Sequence, residues 1–254
     1  DSGNLLIMIF NRGVYEVTRS GELVWSHPVS EISHDADRLS NGNTIYVFGM
    51  GDAMSDAQVT EIDPAGNTVW QWFAEDAYGT RFPNVEIEGW THINAVQRLT
   101  NGNTLVSLRN FALTSIVDSS GAVVEEVDWS PFGTETMPHD PVALPNGNIL
   151  VCVHAEPDYH AAEVNRTTGE TVWTYRHPTP LRTTRDCDRL PNGNTLIVGV
   201  KDEGDGATTI DESTIIEVTP TGDVVWQLTL AGVAQDTSPG LFFKAERVGT
   251  GTGD

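Results

Sequence analysis

Lysine is almost missing from this 254-residue chain. Lys201 and Lys244 stand beside twelve arginines and 36 acids, for a formal charge of −22 at neutral pH. A surface so short of cations excludes DNA or RNA as a partner, because phosphate binding needs a basic face. Cysteine is scarce too. Cys152 and Cys187 cannot make a disulfide scaffold and have no metal-ligand spacing. Each lies in an apolar strand pattern, which favours two buried free thiols over one bridge between them. Long hydrophobic runs are absent: the longest wholly apolar stretch, Leu5–Phe10, is far too short to cross a bilayer. No basic leader precedes it, so an export signal is expected to have been removed or never to have existed. The acids are spread along the chain rather than gathered in a tail. A uniformly acidic, lysine-poor surface suits a protein working in high salt, where screening removes self-repulsion. An ordinary acidic secreted protein is the alternative.

What the chain has in abundance is internal repetition. One element reads Asp37-Arg38-Leu39-Ser40-Asn41-Gly42-Asn43-Thr44-Ile45 and returns at 97–105, 142–150 and 188–196, each time around Asn-Gly-Asn. Asn-Gly between two apolar runs signals a hairpin, since such turns need positive φ. A second element follows each first one: Glu16–Trp25, then Glu61–Trp70, Val117–Glu125, Glu163–Trp173 and Glu217–Trp226. Its turn glycines, Gly21, Gly66, Gly121, Gly169 and Gly222, lie 45, 55, 48 and 53 residues apart. Four of these five copies place Trp four residues after the glycine, and the third has Glu125. A tryptophan there reads as a packing wedge between repeats.

Each unit is thus a four-stranded antiparallel meander of about 50 residues, the size of a propeller blade. Second elements number five but complete first elements only four. The missing piece is divided between the chain ends: 241–248 resembles a first strand, and Gly3-Asn4-Leu5-Leu6-Ile7 a second strand after its turn. The expected fold is all-β: a single domain over residues 1–254, a five-bladed β-propeller whose ring is closed by the C-terminal strand joining the N-terminal blade. Closure would remove exposed sheet edges. Longer inserts fall at 49–58, 75–89 and 201–213.

In such a ring the first strand of each blade lines the channel, and its start shares a face with the end of the second strand. The anchor positions Arg38, Arg98, Ala143, Arg189 and Arg247 then place His34, Asn94, His139, Arg185 and Phe243 at the strand starts. Asp35, Ala95, Asp140, Asp186 and Lys244 come next. Gly49, Arg109, His154 and Val200 mark the strand ends, and His92 lies on the same side as Asn94 by the period of two. His34, His92, Asn94, Arg109, His139, His154 and Arg185 are therefore expected at one mouth. Fixed cations and hydrogen-bond donors there suit an anionic group such as sulfate, phosphate or carboxylate.

Thr91-His92-Ile93-Asn94, then Ser107-Leu108-Arg109, flanked by His34-Asp35 and Pro138-His139-Asp140, resemble the arylsulfate sulfotransferases. These are PAPS-independent bacterial and archaeal enzymes built on a β-propeller. The resemblance implies ping-pong transfer of a sulfuryl group from a phenolic sulfate ester to a phenol acceptor through a sulfohistidine, without a cofactor. It implies His139 as nucleophile, with His92, Asn94 and Arg109 holding the sulfuryl oxygens and His34 in an acid/base or stabilising role. His154 and Arg185 are substrate-binding candidates from blade geometry alone. An extracytoplasmic location follows from the resemblance only. Familiar family members have six blades and an extra N-terminal β-domain, whereas this sequence has room for five blades.

Three other readings compete. Thr167–Trp173 looks like the tryptophan repeat of PQQ-dependent dehydrogenases, whose rings usually have eight blades. A non-catalytic anion- or ligand-binding surface module needs only the ring. A metal site on His34, His92 and His139 would have three imidazoles and an open position, but Arg109 in the same mouth would repel a cation. His27, His160 and His177 are expected near strand ends or in loops, exposed to solvent.

Overall fold

The computed structural model describes residues 3–133, 136–155, 158–178, 181–201, 212–231 and 242–247. It is all-β, with the five antiparallel blades of a β-propeller and a single short α-helix, Glu75–Tyr78, among the described residues. Contacts divide the chain into two compact units, 1–129 and 130–254.

The first unit holds three blades. Blade 1 has β1 (Leu5–Ile9), β2 (Gly13–Val17) and β3 (Leu23–Pro28). Blade 2 has β4 (Ala36–Arg38), β5 (Thr44–Val47), β6 (Val59–Ile62) and β7 (Thr68–Trp72). Blade 3 has β8 (Ile93–Arg98), β9 (Thr104–Leu108), β10 (Leu113–Val117) and β11 (Val123–Asp128). The second unit holds blade 4, with β12 (Met137–Ala143), β13 (Ile149–Ala155), β14 (Asp158–Val164) and β15 (Thr171–Tyr175). Blade 5 has β16 (Leu181–Arg189), β17 (Thr195–Lys201), β18 (Glu212–Val218) and β19 (Val224–Ala231). Within each blade, consecutive strands pair antiparallel. Middle strands such as β5, β6, β9 and β10 are buried along their whole length and, apart from Tyr46 and the ion-paired Glu61, carry apolar or small hydroxyl residues, as suits strands covered on both faces. Outer strands such as β7 and β15 expose their first positions and bury the last, Trp72 and Tyr175.

The Asn-Gly hairpins form, by a different turn than a two-residue loop. Gly42 has φ +87°, whereas Asn41 is not left-handed. Gly42 N–H bonds to the Leu39 carbonyl at 2.9 Å and Leu39 N–H to the Asn43 carbonyl at 2.8 Å. This is a turn of type I closed by a left-handed glycine. The asparagine contributes its side chain: Asn41 Oδ1 accepts the Asn43 N–H at 2.9 Å, and Asn101, Asn146 and Asn192 do the same two residues on.

The tryptophans are inter-blade wedges, as expected. Trp25, Trp70 and Trp173 each donate Nε1–H to a turn carbonyl of the next blade, on Pro64, Ser119 and Pro220. Each also lies under an arginine from the next blade's first strand: Arg38 at 4.3 Å, Arg98 at 5.3 Å and Arg189 at 5.2 Å. The same arginines pair with Glu16, Glu61 and Glu163 at 3.0, 2.6 and 2.8 Å. Where the third copy has Glu125 for Trp, it also has Ile116 for Glu, and the following first strand has Ala143 for Arg.

At the N-terminus Asn4 Nδ2 donates to Glu16 at 2.8 Å, as Asn43 does to Glu61, which confirms Leu5–Ile9 as a second strand. Residues 242–247 occupy a first-strand position against blade 5. Phe242 and Ala245 pack on Leu190, Leu196, Val198 and Ile215. Ala245 N–H bonds to Asp186 at 2.6 Å, as Val96 N–H does to Asp35 at 2.8 Å. Arg247 pairs with Glu217 and lies over Trp226 at 5.4 Å. This segment forms no strand ladder, so among the described residues four blades have four strands and blade 1 has three. Residues 241 and 248 of the expected strand, and 202–211 of the third insert, lie outside the described residues.

Candidate functional site

In the first unit the site grows from a break in regular structure. β8 and β9 pair Ile93 with Leu108, so His92 and Arg109 stand opposite each other one step beyond that pair. His92 has φ +47° and His34, before β4, has φ +67°. Their ring centroids are 4.9 Å apart. His92 is 4% exposed, and its Nδ1 lies 3.3 Å from the Ile87 carbonyl. A carbonyl can only accept, so Nδ1 carries the proton and Nε2 keeps its lone pair. Burial, then the neighbouring Arg109 charge, lowers the His92 pKa to about 4. The imidazole is therefore neutral at pH 7.

Arg109 opens a 3₁₀ turn, Arg109–Phe111, directly after β9 rather than ending the strand. Its side chain is 14% exposed, and burial lowers its pKa. Among the described residues Nε and Nη1 are buried without a hydrogen-bond acceptor, and Glu88 forms an ion pair with Nη1 at 3.6 Å. Asn94 follows in β8, 4% exposed. This part of the chain thus presents a half-neutralised guanidinium with two unbonded nitrogens, a neutral imidazole and a second histidine. An oxyanion fits the guanidinium, whereas the Nε2 lone pair of His92 can only accept.

In the second unit His139 is 3% exposed in β12, next to a register break that gives Asp140 φ +47°. The His139 ring lies 4.4 Å from that of His154. His154 Nε2 accepts the Thr184 N–H at 3.1 Å and sits 2.5 Å from Thr183 Oγ1. Arg185 stacks over Phe243 at 5.3 Å. Lys244 Nζ approaches Asp140 at 3.4 Å. Burial, then the Asp140 charge, pushes the Asp186 carboxyl well above the usual range.

The seven expected residues thus fall into two groups: His34, His92, Asn94 and Arg109 in one unit, His139, His154 and Arg185 in the other. His160 departs from expectation. It is 1% exposed inside β14, with Nδ1 3.2 Å from the Asp158 carbonyl, and burial lowers its pKa. His27 and His177 are half-buried. Cys152 and Cys187 are free and fully buried. Among the described residues no three His, Cys, Asp or Glu side chains are grouped to hold a metal. Asp52, Glu88 and Asn110 touch the site and were not anticipated. The insert at 49–58 marked a loop near the rim, but no spacing marked Asp52 within it.

Known structures share the fold at low identity. A Bacteroides caccae protein aligns at 18% identity over 89% of this chain and 77% of its own, with a TM-score of 0.63. Virginiamycin B lyase from Staphylococcus aureus aligns at 10% identity over 98% and 73%, with a TM-score of 0.58. A streptogramin B lyase aligns at 12% over 98% and 72%, also at 0.58. A search of curated proteins finds no match. The arylsulfotransferase (ASST) family model matches residues 112–241, more than half of the chain. That segment includes His139, His154 and Arg185, while His34, His92, Asn94 and Arg109 precede it. On that match, the chain belongs to the arylsulfotransferase (ASST) family.

Proposed function

We propose that residues 1–254 act as one propeller domain that moves a sulfuryl group from a phenolic sulfate ester to a phenol, in a salty, extracytoplasmic setting. The observation that carries this reading is the buried Arg109 guanidinium, with two nitrogens lacking acceptors, opposite a neutral His92. In the first half-reaction a neutral His139 nitrogen attacks sulfur and the sulfur–oxygen bond to the aryl group breaks. Phenolate leaves, and the sulfuryl group stays on the imidazole. In the second, the acceptor phenol's oxygen attacks sulfur, the sulfur–nitrogen bond breaks, and the phenol proton passes to a base. Charge spreads over the equatorial oxygens in both steps, as in phosphoryl transfer. Arg109 and Asn94 meet those oxygens, with the neutral His92 beside them. His34 serves as base or stabiliser, and His154 and Arg185 contact the aryl ester. The mechanism uses no cofactor.

The test is release of nitrophenolate from 4-nitrophenyl sulfate with a phenol acceptor in high salt. His139→Ala is expected to abolish it, and a sulfuryl mass should be trapped on the peptide containing His139. Sulfate ester binding without turnover would replace this reading with an anion-binding module.

A further inference from the structure

Asp52 lies in the insert between β5 and β6, 4% exposed, and among the described residues no arginine or lysine pairs with it. Its partners are all neutral donors. Oδ2 accepts Thr91 Oγ1–H at 2.8 Å, Thr91 N–H at 3.1 Å and Gln58 Nε2–H at 3.2 Å. Oδ1 accepts the His92 N–H at 3.3 Å and shares the Thr91 N–H at 3.2 Å. Its own carbonyl takes the Trp90 N–H at 2.8 Å. A buried carboxylate is costly unless such donors surround it. Burial raises its pKa, and the bonds from Thr91, His92 and Gln58 oppose the rise.

These bonds converge on the two residues before β8. His92 there holds a left-handed φ that non-glycine residues keep only when their surroundings enforce it. A second brace comes from Asn110, whose Nδ2 bonds to the Ile87 and Gly89 carbonyls, each at 2.9 Å. The space is tight. A Cβ on Gly89, at φ +123°, would lie 2.2 Å from the Gly49 carbonyl and 2.4 Å from Asp52 Oδ1.

We propose that Asp52 is a positioning residue: by gripping the Thr91-His92 backbone it keeps Nδ1 of His92 on the Ile87 carbonyl and sets the direction of the Nε2 lone pair within the site. What the ring does rests on the function proposed above; how it is held rests on the bonds just given. An amide at position 52 would fail, since its NH2 group would face donors from Thr91 and Gln58.

Asp52→Asn tests this by two independent readouts on the full chain: the ¹⁵N imidazole resonances of His92, and kcat and KM for 4-nitrophenyl sulfate. Unaltered protein should show His92 protonated on Nδ1, titrating near 4. In the variant the two tautomers should mix and the titration should move toward 6.5. kcat should fall by about 100-fold, the scale of a misplacement near 1 Å, with KM within a few-fold. Thr91→Val removes the 2.8 Å hydroxyl bond to Asp52, together with the 3.1 Å bond that the hydroxyl accepts from the Ile93 N–H, and leaves the Thr91 and His92 N–H bonds to Asp52 in place; it serves if Asp52→Asn does not fold, and the same changes are expected, smaller. Unchanged His92 resonances in these variants would overturn the proposal, whatever kcat does. Absence of turnover in the unaltered protein would instead sink the proposed function and leave the spectra to decide the role of Asp52.

Discussion

Acidification should destabilise this protein through His92, and the amount can be worked out. An unfolded imidazole takes its proton near pH 6.5, whereas the folded one does so only near 4. Between those values the unfolded chain binds more protons, so stability falls as pH falls. The contribution is complete above 6.5 and lost below 4, where it amounts to about 3.4 kcal/mol. At pH 5 the loss relative to pH 8 is about 2 kcal/mol. Desolvation is the largest cause and Arg109 the second, so most of the effect should survive the high salt that screens charges. The measurement is urea unfolding at pH 8 and pH 5, in fixed salt, of the native sequence and of His92→Gln. Every other titrating group is common to both, including His27 and His160, which burial also lowers. The native protein should lose about 2 kcal/mol more than the variant. Equal losses, within about 0.5 kcal/mol, would refute the claim that His92 is buried and neutral.

Other perturbations separate the site from the scaffold. Arg109→Lys should lower kcat by about 100- to 1,000-fold, because an ammonium cannot replace a fork of planar donors, and steady-state kinetics would show it. Arg98→Ala should cost about 2–3 kcal/mol in urea unfolding, since it leaves the Glu61 carboxylate, 9% exposed, with the Asn43 amide but no cation, and strips Trp70 of its cation. Adding Glu61→Ile should recover part of that loss. Cys152 and Cys187 should stay unlabelled by a thiol reagent until the chain unfolds, because burial raises both thiols; full labelling of the folded protein would contradict this.

Much of the scaffold could be read before the coordinates because it is written in repeats. Asn-Gly-Asn and the Gly-to-Trp spacing recur, so one copy checks another, and both the blade count and the wedge role of Trp25, Trp70 and Trp173 followed. The turn type did not follow, because the asparagine's part is a side-chain bond to the backbone rather than a left-handed φ. At the site, His34, His92 and Arg109 were found from their distance to the repeat anchors. Asp52, Glu88 and Asn110 were not. Asp52 and Glu88 lie in insertions that break the period, Asn110 follows Arg109 in the turn after β9, and a residue that acts by gripping the backbone at the start of the next blade has no spacing of its own. His160 was misread for a related reason: a strand-end position says little when β14 begins at Asp158 and folds the ring inward.

The clasp of arginine over tryptophan, closed by a glutamate, takes parts from two successive blades. Most blades carry both halves. Blade 3 carries Arg98 but has Ile116 and Glu125 where the other copies have Glu and Trp, and blade 4 has Ala143 in place of the arginine while keeping Glu163 and Trp173. Shuffling them would leave orphans: blade 4 placed after blade 2 would set Ala143 against an unanswered Glu61, and blade 5 placed after blade 3 would leave Arg189 with no acid to hold. An uncompensated buried charge is far costlier than an apolar match. The clasps thus act as addresses, making the order of nearly identical modules a matter of chemistry as well as of chain connectivity.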